Sequence, residues 1–186
     1  MRFPTLAKLL AQGPLLRPLL QGLVLASALS FPARAAEDPA LALGFYVGKW
    51  VQSGVSRPDP GAAFTPLNGH ENCDWVDGSN AVVCHESITD YAGTTDSLYI
   101  MGYDHAQGRY FVKGTDYAAG GIISGTGTLN DGVWTWDSVM QVGDARIPMR
   151  FVFKSAPAGG RELAVTLKGE GGQMFEAQRV SYRKRP

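Results

Sequence analysis

The sequence predicts an all-β domain: an antiparallel up-and-down barrel of eight to ten strands, entered by a short N-terminal helix. Three observations carry this reading. Turn residues recur about every 8–12 positions, at Asp77-Gly78, Gly93, Asp104 to Gly108, Gly120-Gly121, Asn130-Asp131-Gly132, Gly143-Asp144, Pro157 to Gly160 and Gly169 to Gly172. The runs between them are rich in β-branched and aromatic residues, and several alternate. Ala145, Ile147, Met149, Phe151 and Phe153 fall on one face, with Arg146, Arg150 and Lys154 on the other. The connections are short, so successive strands pair as hairpins. A long meander leaves two unpaired edges, which closure into a barrel removes.

Composition agrees. Of 186 residues, 45% are apolar and 18% charged, enough apolar material for a core and too much for a disordered chain. The 23 glycines follow no three-residue period, which excludes collagen. Seventeen basic residues balance seventeen acidic ones, so there is no excess of positive charge for a nucleic-acid backbone.

The chain opens with an address. Residues 1–35 hold Arg2, Lys8, Arg17 and Arg34 and no acid, an apolar run from Leu19 to Phe31, and then Ala33-Arg34-Ala35. A basic start, a short apolar middle and a small-x-small end make a secretory signal peptide. The apolar run is too short for a membrane span, which needs about 20 residues. The expected domain is therefore 36–186, in a secreted, periplasmic protein without a stable membrane anchor.

Asp38-Pro39 begins a helix over about 39–46, with Asp at the N-cap and Pro at the first position. Leu41 and Phe45, four apart, form its apolar face. Strands follow at 49–56, 65–76, 81–90, 95–103, 109–115, 121–129, 133–142, 145–154, 161–168 and 173–183. Gly125 and Gly127 share one face and mark a close approach or strong curvature. The longest loop, 56–63, contains Pro58 and Pro60 and is stiff.

Folding the chain about Asp77-Gly78-Ser79-Asn80 sets Cys73 opposite Cys84. In an oxidising compartment two such thiols pair. A two-residue turn makes theirs a hydrogen-bonded pair; a four-residue turn makes it the closer, non-hydrogen-bonded kind that suits a disulfide better. Two cysteines do not make a zinc site, and no metal is expected. The same register sets Glu71 opposite Glu86, on a face shared with Trp75, Val82 and Ile88.

Gly48-Lys49-Trp50 after a short helix, followed by an antiparallel meander, resembles the calycin superfamily of lipocalins and fatty-acid-binding proteins. Phe45 to Trp50, Met101-Gly102-Tyr103-Asp104 with Arg109-Tyr110, and Tyr182 to Arg185 resemble an uncharacterised bacterial calycin-like family, a domain of unknown function. The resemblance implies a barrel and little chemistry. It implies that Trp50 closes the barrel floor under an arginine of the last strand, Arg179 or Arg183, and that loop 56–63 is a lid over the cavity mouth.

Enzyme motifs are missing: no G-x-S-x-G, no H-E-x-x-H and no phosphate-binding glycine loop. The opposed Glu71 and Glu86 can act as acid and base, hold a polar ligand group, or splay apart at a solvated rim. Tyr99, Met101, Trp134 and Trp136, with Trp75, are the candidate pocket lining. No cofactor is expected; haem through His85 or His70 is the alternative, since some calycin-like barrels bind it through one histidine. His105 belongs to a solvated turn.

Three functions follow. The first is binding of a small apolar or amphipathic molecule inside the barrel. The second is a small barrel enzyme using Glu71 and Glu86 for proton transfer. The third is a filled barrel acting at its surface as an envelope interaction module. A cavity separates the first two from the third, and a carboxyl of raised pKa in that cavity favours the second.

Overall fold

The computed structural model describes residues 37–185 except 79, 118, 119 and 170. The proposed signal peptide, residues 1–35, lies outside the described residues. A 3₁₀ helix (Pro39–Phe45) leads into ten strands: β1 (Gly48–Ser56), β2 (Thr65–Trp75), β3 (Ala81–Asp90), β4 (Gly93–Asp104), β5 (Arg109–Asp116), β6 (Gly121–Asn130), β7 (Val133–Val142), β8 (Ala145–Ala156), β9 (Gly160–Lys168) and β10 (Met174–Lys184). Each strand pairs antiparallel with the next, and β1 pairs with β10, so the sheet closes without an edge. The meander and its closure are those expected.

The helix differs from expectation in its winding. Asp38 caps it, its Oδ1 accepting the Ala40 N–H at 2.9 Å. The buried residues are then Ala40, Leu43 and Tyr46, three apart, while Leu41 is 57% exposed. Three residues per turn put every third side chain on one line. A narrow line of that kind fits the barrel end better than the broader face through Leu41 and Phe45.

The β2–β3 hairpin has the longer turn. The Val76 N–H donates to Ala81 O at 3.0 Å, which leaves 77–80 as the loop. Three steps inward, Cys73 and Cys84 face each other as a disulfide with Cα atoms 4.1 Å apart. Counting alternate pairs from 76–81 makes 73–84 the close, non-hydrogen-bonded kind. Closing this short loop contributes about 2–3 kcal/mol.

The two strand glycines are close approaches. A Cβ on Gly127 would meet the Trp136 ring at 2.6 Å, and one on Gly125 would meet Ser138 Oγ at 2.2 Å. The inner residues Trp136 and Ser138 of β7 are thus accommodated by glycines on β6, directly across the ladder. A bulge at Ala177 shifts the register of β10 and sets Gln178 on the inner wall.

Candidate functional site

The barrel interior has two unlike halves. The half next to the helix is filled. Tyr46 is fully buried, and its ring packs on Phe45, Phe153, Trp134 and Trp136. Its hydroxyl accepts the Trp136 Nε1–H at 2.7 Å, and its backbone carbonyl accepts the Trp50 Nε1–H at 2.9 Å. Trp134 stacks on Trp136, ring centroids 5.6 Å apart and planes 5° from parallel.

Through this floor runs a buried ion pair. Arg161 of β9 and Glu71 of β2, both fully buried, meet side chain to side chain. The Tyr99 hydroxyl donates to the other Glu71 oxygen. Five aromatic rings surround the guanidinium, with Tyr182 at 4.3 Å and Trp50 at 4.4 Å from their centroids and Tyr46, Phe153 and Phe45 within 6 Å. Burial lowers the Arg161 pKa to about 10, so it remains charged at neutral pH. The arginine over Trp50 is therefore Arg161. Arg179 and Arg183, expected there from the last strand, lie exposed on the outer face of β10. The signal for Arg161 was present in Arg161-Glu162-Leu163-Ala164-Val165: by alternation Arg161 shares the inner face of Leu163 and Val165.

The half away from the helix holds a cavity of about 100 Å³. Its wall is mainly apolar, from Ile88, Met101, Val112, Ile123, Trp136, Phe151, Phe153 and Leu163. Its polar groups are Glu86, Ser97, Tyr99, Gln178 and Tyr182. Glu86 is opposite Glu71 in the β2–β3 ladder, as expected. The two carboxyls nonetheless have different surroundings. Glu71 points into the floor and is paired; Glu86 borders the cavity and takes a hydrogen bond from Gln52 Nε2. Gly69 makes room for that amide, since a Cβ there would lie 2.3 Å from Gln52 Oε1.

Burial raises the Glu86 pKa from 4.5 to about 7; the charge of Asp116 adds to the rise, while hydrogen bonds from Gln52 and Tyr182 oppose it. Between those two values the folded protein keeps a proton that the unfolded chain has released. Stability therefore falls as pH rises through this window, by up to about 3 kcal/mol from this group. Urea denaturation across that range is expected to show the fall, and Glu86→Gln to flatten it. A variant with the wild-type slope would refute the assignment.

The remaining candidates fall into two sets. Tyr99, Met101 and Trp136 line the cavity. Trp134 lies behind Trp136 in the floor, and Trp75 is at the outer end of β2, 37% exposed, near Leu41 and Asp38. Neither borders the cavity. His70 and His85 are exposed on the outer wall, and His105 is in the β4–β5 turn beside Asp38. Among the described residues the one cluster of potential metal ligands is Glu71 with Cys73 and Cys84, whose sulfurs are joined in the disulfide.

At the open end, loop 57–64 is held against the barrel. Arg57 Nε donates to Glu176 O at 2.8 Å and Nη1 to Pro60 O at 3.1 Å, while the guanidinium lies 4.5 Å from the Phe64 ring centroid. No helix among the described residues is long and apolar enough to cross a membrane.

A closed, ten-stranded antiparallel barrel, plugged at one end by a short helix and hollow at the other, fits the calycin-like class of β-barrels. The crystal structure of Rv2717c from M. tuberculosis is similar in fold, with a TM-score of 0.59 and 10% sequence identity over 80% of this chain and 99% of that one. No protein-family model matches the chain, and no curated protein matches it.

Proposed function

We propose that the protein is a secreted, periplasmic binding protein that holds a small apolar or amphipathic molecule in the open half of its barrel. The observation that carries this is the asymmetry of the interior. The floor is packed with aromatic rings and a neutralised ion pair, whereas the other half keeps a largely apolar cavity with a few polar groups at its wall. Pockets of that composition bind small molecules, the apolar wall giving affinity and the polar groups orientation. The volume bounds the ligand. An engineered apolar cavity of about 150 Å³ takes benzene, so this one, at about 100 Å³, encloses a group no larger than a benzene ring. The disulfide agrees with an oxidising compartment.

One observation favours a second reading, that of an enzyme: Glu86, with its pKa raised to about 7, borders the cavity. A carboxyl near neutrality suits proton transfer. The expected pair does not operate there, because Glu71 is tied to Arg161 and Tyr99 in the floor. One carboxyl alone still serves a reaction that removes and returns a single proton.

The test is a titration of the full chain with benzyl alcohol, followed by tryptophan fluorescence, since Trp136 lines the cavity. Wild type is expected to show a saturable change. Val112→Phe, which fills the cavity from β5, is expected to lose it. A response that does not saturate, or that Val112→Phe leaves unchanged, would remove the binding reading. Recovery of a chemically altered ligand would move the protein to the enzyme class.

A further inference from the structure

We propose that the cavity is a site for a small organic ammonium ion, its charged nitrogen against the Glu86 carboxylate and its apolar body on Trp136, Phe151 and Phe153. This inference rests on the binding reading above and names the ligand class.

Charge is the first argument. Among the described residues Arg161 is the buried cation, but it does not line the cavity, and Glu71 neutralises it. The groups around Glu86 come from every neighbouring strand. They are Gln52 of β1, the paired Glu71 of β2, Tyr99 of β4, Asp116 of β5, Arg161 of β9 and Tyr182 of β10. With Glu71 and Arg161 paired to each other, Glu86 is the carboxyl among the described residues that line the cavity. Among those lining residues there is no lysine, arginine or histidine for an anionic ligand. A cationic one finds an acid at the wall, and near an opposite charge the ionised form of Glu86 is favoured.

Ring chemistry is the second. Tyr99, Trp136, Phe151, Phe153 and Tyr182 all border the same cavity as Glu86. Aromatic faces attract a cation through their quadrupole, most strongly when water is excluded, and tryptophan does so best. An acid among aromatic rings selects an ammonium ion over a neutral molecule of the same shape.

Proton balance is simple. Where Glu86 is protonated before binding, the ammonium ion enters, the carboxyl releases its proton to solvent and an ion pair forms. Uptake of the ion is therefore favoured as pH rises through about 7, the value to which Glu86 is shifted.

The test compares three probes of nearly one shape on the full chain by calorimetry: benzylamine, benzyl alcohol and benzoate. At about pH 8, benzylamine is expected to bind at least about tenfold more tightly than benzyl alcohol, with benzoate weakest. Glu86→Gln is expected to abolish the preference for benzylamine. If that variant fails to fold, the wild-type ratio decides the question, since it must grow between about pH 5.5 and pH 8 as Glu86 ionises. Benzyl alcohol binding as tightly as benzylamine, or a preference that survives in Glu86→Gln or is flat with pH, would overturn the ammonium assignment while leaving the cavity a binding site. If none of the three probes binds, the binding reading falls with it.

Discussion

Arg161→Ala is expected to destabilise the protein by about 3–5 kcal/mol, because it leaves Glu71 as an uncompensated carboxylate in the barrel floor. Glu71 is fully buried, and with Arg161 gone its remaining partner is the Tyr99 hydroxyl. One hydroxyl donor does not replace an ion pair in a site closed to water. The truncation also removes the guanidinium from between Trp50 and Tyr182, so packing is lost along with charge. A second variant separates the two effects. Glu71→Leu with Arg161→Met removes both charges and keeps most of the volume, and such replacements of buried pairs are often neutral or stabilising. The double variant is therefore expected to be more stable than Arg161→Ala by most of the loss. Urea denaturation at neutral pH reads both. A loss under about 1 kcal/mol for Arg161→Ala would mean that the pair behaves as a solvated one, and that the floor is open to water.

The second large effect is expected at Tyr46. Tyr46→Ala removes a fully buried ring that touches four other aromatic side chains, and truncations of that size cost about 3–5 kcal/mol. Tyr46→Phe keeps the ring and removes the hydroxyl that accepts from Trp136 Nε1. The indole N–H is then buried without a partner, at a cost of about 1–3 kcal/mol. The backbone carbonyl of Tyr46 still serves Trp50 and Arg161 in both variants, which confines the comparison to the side chain. Denaturation curves followed by tryptophan fluorescence should rank wild type above Tyr46→Phe above Tyr46→Ala. Near-wild-type stability of Tyr46→Ala would show that the helix is an ornament on the barrel and not its plug.

Both residues show where reading the chain succeeds and where it stops. The strands, the hairpin register from Cys73–Cys84 to Glu71–Glu86 and the tight packing at Gly125 and Gly127 follow from turn residues and a period of two, both local properties. Alternation even puts Arg161 on the face of Leu163 and Val165. It does not say that Arg161 of β9 reaches Glu71 of β2, because that contact spans the barrel between strands that are not neighbours in the sheet. The calycin resemblance leads to an arginine over Trp50 but draws it from β10, where Arg179 and Arg183 have outward-facing positions.

Trp75 and Trp134 fail for a related reason. Period two tells inside from outside, but not how far along the barrel axis a side chain sits. Trp75 ends beyond the barrel at the helix end, and Trp134 is one layer below the cavity. The helix shows the same limit at short range: its start is coded by Asp38 and Pro39, yet which side chains it buries depends on the width of the opening it fills.

The amino-acid sequence by itself determined the all-β class, the ten strand segments, the antiparallel order and the disulfide, since each depends on residues near one another along the chain. Only the tertiary structure decided which acid is paired and which faces the cavity. Glu71 and Glu86 are chemically identical and face each other across one hairpin. They differ because closure of the barrel brings Arg161 to the first, and Gln52 with an apolar wall to the second.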